Sequence, residues 1–254
     1  MGNEPSRPSN GPIAGVFFDL GGTLYSYEFR SLMGQANGAA LKRLGFDPST
    51  PEVRAAGRAA ASEIQKTYAV RRSFIHRDLF RDRLARTAAL LGVEASAAEL
   101  EQFCVENTRN IIEHMPPRHD AVPTLRSLRS RGLYCSVVSN ADDEYLGVVI
   151  ERHGLDQLLD DWTSSEEADS CKPDVQIYEV ALAKAQLEPT DVLFVGDSLH
   201  HDVAGAHAAG IRSMLFEEPD VTTPLTEGLT AAAEPDYVIH DLAELAAIVD
   251  GLNT

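Results

Sequence analysis

Gly15-Val16-Phe17-Phe18-Asp19-Leu20-Gly21-Gly22-Thr23-Leu24 is the stretch that decides the fold of this 254-residue chain. A short apolar run ends in one carboxylate, and a glycine turn follows at once. Such a run, with turn residues behind it, reads as a strand buried on both faces, as in a parallel sheet. Asp19 then stands at the strand's carboxyl end, the edge where open α/β sheets bind ligands. Gly21 and Gly22 let the backbone bend sharply and present N–H groups to an anion. Thr23 adds a hydroxyl. A carboxylate beside this turn suits a nucleophile or a metal ligand. Taken alone, it reads equally well as a strand-end cap.

Before this strand, residues 1–12 are rich in Pro, Ser, Asn and Gly and carry no hydrophobic block. They read as a disordered tail and not a signal peptide. After it, about ninety residues carry helical signals with no clear strand. The first helix is expected from Glu28 to Leu44, ended by Gly45. Thr50-Pro51 opens a second that runs towards Val70, with Thr50 as N-cap and Pro51 at the first helical position. A third covers Ser73 to Leu91. The fourth, Ser96 to about His114, begins with Glu99 three residues after Ser96, a capping-box pattern. Met115-Pro116-Pro117 breaks it.

Strand–helix alternation follows. Strands are expected at 133–138, 161–164, 191–195, 212–216 and 237–239. Helices are expected at 120–131, 142–153, 174–185, 202–209 and 242–249, with a long loop at 217–236. Repeated β-α units with apolar strands predict an α/β three-layer sandwich with a mainly parallel sheet.

Composition narrows the function. The net charge of -17 argues against nucleic-acid binding, and no apolar run is long enough to span a bilayer. Cys104, Cys135 and Cys171 lie far apart without metal-site spacing, which suits reduced thiols in a cytoplasmic protein. The segment from Ser26 to Arg118 holds 14 basic and 11 acidic side chains, so the negative excess lies elsewhere. That balance suits a small anionic substrate.

In a parallel sheet every strand brings its carboxyl end to one edge. Ser139-Asn140-Ala141-Asp142 lands there with a hydroxyl, an amide and a following helix start, an arrangement that suits an anion or a simple N-cap. Lys172, in Cys171-Lys172-Pro173-Asp174, can reach an anion as a point charge. Gly196-Asp197-Ser198-Leu199-His200-His201-Asp202 brings two acids beside Asp19, a hard-cation set that suits Mg²⁺. His200 and His201 lack further zinc partners and read as exposed loop residues.

In this order and strand context, Asp19 with Thr23, Ser139, Lys172, and Gly196-Asp197 through Asp202 resemble the haloacid dehalogenase-like hydrolase superfamily, from Gly15 to about Phe216. The resemblance implies a Rossmann-like core of 13–25 and 116–254, with a mobile helical cap of the C1 type at 26–115. It also implies Mg²⁺-dependent phosphoryl transfer through an aspartyl-phosphate. On that reading Asp19 is the nucleophile. Its other oxygen, the Gly21 carbonyl and Asp197 bind Mg²⁺, and Asp202 orients metal waters or Lys172. Gly22, Thr23, Ser139, Asn140 and Lys172 hold the phosphoryl group. The expected partner is a small anionic phosphorylated metabolite, with Arg71, Arg72 and His76 at a cap helix junction as specificity residues.

One position departs from the family pattern. Most phosphatases of this superfamily carry a second aspartate two residues after the nucleophile, which serves as general acid/base. Here that residue is Gly21. Tyr25, Tyr27, Glu28 and His76 are candidate substitutes. The alternatives are a phospho-ligand-binding protein with little turnover, or a 2-haloacid dehalogenase, which uses no metal. Lys42 and Lys66 are the only cap lysines and read as surface residues.

Overall fold

The computed structural model describes residues 11–27, 34–218 and 233–254. Glu28, most of the expected tail and most of the 217–236 loop lie outside the described residues. Six strands of the described residues form one sheet: β1 (Gly15–Phe18), β2 (Tyr134–Ser139), β3 (Asp161–Ser164), β4 (Val192–Gly196), β5 (Arg212–Phe216) and β6 (Tyr237–Ile239). Their order is β3-β2-β1-β4-β5-β6, and every pairing is parallel. β1 is therefore central, with Phe18 opposite Val137 on one side and Val195 on the other.

All four β1 residues are buried because both faces of the sheet are covered. Val16 and Phe18 pack against α5 (Ala121–Ser130), α6 (Leu146–Arg152) and α9 (Glu244–Leu252). Phe17 points the other way, into α7 (Val175–Ala185) and α8 (Ala204–Ala208). This is the expected three-layer α/β sandwich, and the period-two alternation of side chains produces it.

Among the described residues, four helices separate β1 from α5: α1 (Gln35–Arg43), α2 (Pro51–Tyr68), α3 (His76–Leu90) and α4 (Ala97–His114). They close on a cluster of their own that includes Ala40, Leu41, Val53, Leu84 and Phe103. The helix starts follow the local chemistry. Thr50 accepts from the Val53 N–H ahead of Pro51, and Ser96 and Glu99 form a reciprocal capping box.

Several helix starts depart from expectation, and the helix expected from Ser73 begins at His76. The helix expected from Asp142 begins at Leu146, because residues 141–145 form a turn in which the Tyr145 and Leu146 N–H groups both bond the Asp142 carbonyl. The Asp142 carboxylate is committed elsewhere. No helix among the described residues is long and apolar enough to cross a membrane, and all three cysteines are buried and unpaired.

Candidate active site

The parallel sheet delivers Asp19, Ser139 and Asp197 to one edge, at the carboxyl ends of β1, β2 and β4. Lys172 reaches the same point from the loop before α7. It is 3% exposed, and its Nζ donates to Asp19 Oδ1 at 2.6 Å and to Asp202 Oδ1 at 2.7 Å. Asp202 Oδ2 accepts the Ser198 N–H at 2.9 Å. Burial would drive the Lys172 ammonium towards neutrality, but the facing carboxylates of Asp19 and Asp202 outweigh it and raise its pKa. Burial also raises the Asp19 carboxyl; Lys172 opposes that shift and Asp202 adds to it.

Asp19, Asp197 and Asp202 each offer a carboxylate oxygen within 4.8 Å of the others. With all three ionised, one ammonium leaves the cluster two charges negative, so a divalent hard cation fits the donor set. Gly22 makes the cluster possible. It has φ of +91°, and a Cβ there would collide with the Asp197 carboxylate and the Tyr27 ring.

Asn140 spends both ends of its amide on the Lys172 backbone. Its Oδ1 accepts the Lys172 N–H at 2.6 Å, and its Nδ2 donates to the Lys172 carbonyl at 3.0 Å. The side chain thus aims the loop that carries the ammonium, a task that a gap of 32 residues hid from sequence reasoning. Ser139 is buried at the end of β2 and lines the cavity above the edge. Thr23 is fully buried, its hydroxyl has no hydrogen-bond partner among the described residues, and neither it nor Gly22 lines that cavity.

The histidines expected in an exposed loop are half-buried cavity-wall residues. Ser198 starts a widened helical turn, in which its carbonyl accepts from both Asp202 and Val203, and this turn rolls His200 and His201 inward. Burial, reinforced by Lys172, pushes the His201 pKa down to about 3. It is a neutral imidazole whose Nδ1 lies 3.3 Å from the Lys172 carbonyl.

The cavity above the edge measures about 800 Å³ and is walled by both the sheet edge and the four-helix segment. The α2–α3 junction closes one side. The Arg72 carbonyl accepts the Cys171 N–H at 2.8 Å. Arg71 stacks on the Tyr68 ring at 3.9 Å, and Arg72 lies 3.5 Å from Asp174. Asp142, which sequence reasoning treated only as part of an anion loop, holds the junction to the core. Its carboxylate accepts the His76 N–H at 2.6 Å and the Arg77 N–H at 2.7 Å, the first two of α3. Burial would raise the Asp142 carboxyl, but the His76 ring and these N–H groups outweigh it and hold the pKa low. Arg71, Arg72 and His76 all line the cavity.

A family model for haloacid dehalogenase-like hydrolases matches residues 13–210. A ribulose-1,5-bisphosphate 5-phosphatase of Halopiger xanaduensis is 32% identical over 252 residues, covering 92% of this chain and 98% of the relative. Among solved structures, the putative hydrolase YfnB of Bacillus subtilis, bound to magnesium, superposes with a TM-score of 0.70 at 22% identity, covering 94% of this chain and 99% of that one. The L-2-haloacid dehalogenase of Xanthobacter autotrophicus superposes with a TM-score of 0.69 at 23% identity and the same coverage. Both structures share the fold; at such identities nothing further follows.

Proposed function

This chain belongs to the haloacid dehalogenase-like hydrolases, and on that premise we propose that it is a Mg²⁺-dependent phosphatase of a small phosphorylated metabolite, working through an aspartyl-phosphate on Asp19. The observation that carries the reading is the Lys172 ammonium bridging Asp19 and Asp202, with Asp197 completing a trio of carboxylates. A nucleophile that is itself an anion needs positive charge beside it to meet a dianionic phosphate. Lys172 is that charge, held by Asp202 and aimed by Asn140.

Asp19, Asp197 and the Gly21 carbonyl are the proposed holders of Mg²⁺, with Asp202 orienting Lys172. When bound, Mg²⁺ supplies further charge neutralisation at the phosphoryl oxygens. Asp19 attacks phosphorus in line with the leaving oxygen, and water then hydrolyses the acyl phosphate. Ser139, which lines the cavity, contributes a donor to the phosphoryl group, whereas the Gly22 N–H is spent on the Tyr25 carbonyl at 2.6 Å. The segment 26–115 acts as a cap over the 13–25 and 116–254 core, and Arg71, Arg72 and His76 select the rest of the substrate.

A metal-free dehalogenase has no cation for the Asp19, Asp197 and Asp202 trio to hold, which places that reading second. The test is a panel of phosphorylated metabolites with and without Mg²⁺, beside the Asp19→Asn variant. Phosphate release that stops on chelation and in Asp19→Asn is expected. Halide release from a 2-haloacid in the presence of a chelator would overturn the reading.

A further inference from the structure

Gly21 faces an occupied space. A Cβ built on it would lie 2.8 Å from the Tyr27 hydroxyl and 3.3 Å from the ring carbon that bears it. The phenol therefore sits where a side chain at position 21 would project, two residues after Asp19. Both Gly21 and Tyr27 line the cavity beside Asp19. Among the described residues, the other candidates, Tyr25 and His76, serve other ends. Tyr25 is fully buried and donates to the Val149 carbonyl at 3.1 Å. The His76 ring packs on Phe74 at 4.7 Å, and its Nδ1 lies 3.4 Å from the Asp142 carboxylate.

We infer that the Tyr27 hydroxyl is the hydrogen-bond donor to the leaving-group oxygen, in the space that glycine leaves open at position 21. The inference rests on the phosphatase reading and adds a residue to it. An ordinary phenol is neutral at pH 7 and so able to donate. Attack by Asp19 forms the new O–P bond and breaks the P–O bond to the substrate alcohol. The electron pair departs on the alkoxide oxygen, which receives the phenolic hydrogen bond and takes its proton from solvent water. The hydroxide so formed is consumed when the aspartyl-phosphate is hydrolysed, with one water used per turnover. The phenol keeps its own proton throughout.

The contribution grows with the charge on the leaving oxygen, so alkyl phosphates depend on it more than aryl phosphates. Glycerol 3-phosphate and 4-nitrophenyl phosphate are the probes. Tyr27→Phe should lower kcat/KM on glycerol 3-phosphate by ~10–10²-fold, the worth of one hydrogen bond to a charged group. The same change should alter the 4-nitrophenyl phosphate rate by less than about 3-fold, since a good leaving group carries its own charge. Gly21→Ala, whose methyl must push the hydroxyl aside, should reproduce the selective loss. The double variant should lose no more than either single one, because both remove the same contact.

Tyr145, a second phenol lining the cavity, is the control, and Tyr145→Phe should leave the alkyl-to-aryl ratio alone. Circular dichroism confirms the fold of each variant. If Asp19→Asn is inactive while Tyr27→Phe keeps the wild-type ratio, or if Tyr145→Phe shows the selective loss, or if the Tyr27 and Gly21 effects add, the role of Tyr27 is overturned and the phosphatase reading stands. If the wild type hydrolyses neither probe, or Asp19→Asn hydrolyses them as fast, both fall together.

Discussion

Replacing Asp142 by alanine tests how the helices are tied to the sheet edge. The carboxylate is 2% exposed and caps α3 from a loop more than sixty residues away, accepting the N–H groups of His76 and Arg77. The helix has no cap of its own, since Ile75 offers no side-chain acceptor. Alanine leaves the buried His76 N–H and the half-buried Arg77 N–H unsatisfied, the first costing ~1–3 kcal/mol and the second about half of that. It also removes an anion from the positive end of the helix, worth ~0.3–1 kcal/mol. A loss of ~2–5 kcal/mol is therefore expected at pH 7, above the ~1 kcal/mol of an ordinary exposed cap.

The sign with pH follows from the depressed carboxyl. Its stabilisation is complete above the unfolded pKa of ~3.9 and fades as pH falls through the lower folded value. The gap between wild type and Asp142→Ala should thus be widest at neutral pH and narrow below about pH 4. Denaturant titration read by far-ultraviolet circular dichroism at both pH values measures it. Because α3 also carries Leu79, Phe80 and Arg83 into the cavity wall, KM should rise more than kcat falls. A destabilisation below about 0.5 kcal/mol, the scale of an ordinary surface substitution, unchanged between the two pH values, would refute the argument.

Asp19→Asn should reduce phosphate release by ~10³–10⁶-fold, the scale of losing a covalent nucleophile, with the circular dichroism spectrum unchanged. Mg²⁺ at about 100 times its Kd should stabilise the protein by ~2.7 kcal/mol, seen as a rise in melting temperature, and Asp197→Ala should shrink that rise at the same concentration. Lys172→Met leaves Asp19 and Asp202 facing each other without a counter-charge, so a loss of ~3–5 kcal/mol is expected in metal-free buffer. Added Mg²⁺ should recover more stability in that variant than in the wild type, which differential scanning calorimetry would show.

The sandwich was legible because each strand announces itself locally. Gly15–Phe18 and Val192–Gly196 are apolar throughout, and the turn that follows each ends the run on an aspartate. Once the strands are parallel, Asp19 and Asp197 must share an edge, so spacing along the chain becomes proximity in space without further information. The helix caps at Thr50 and Ser96 were legible for the same reason, since their partners lie three residues away. Pattern could not choose the partners of Asn140 and Asp142. Their acceptors and donors lie 32 and 65–66 residues distant, and nothing in either neighbourhood marks the other.

The amino-acid sequence by itself determined the parallel sheet, the edge on which chemistry gathers, and the carboxylates and lysine that gather there, because periodicity and strand direction are properties of short segments. Only the tertiary structure decided what those residues do to one another. The docking of the four-helix segment across the edge turned Asp142 into a remote helix cap and closed the cavity. The inward roll of the turn after Ser198 made His201 a half-buried, neutral imidazole of the cavity wall. The turn after Asp19 laid the Tyr27 hydroxyl over Gly21. Each of these is a contact between surfaces that burial alone leaves free to meet in several ways, and packing of the whole chain selects one.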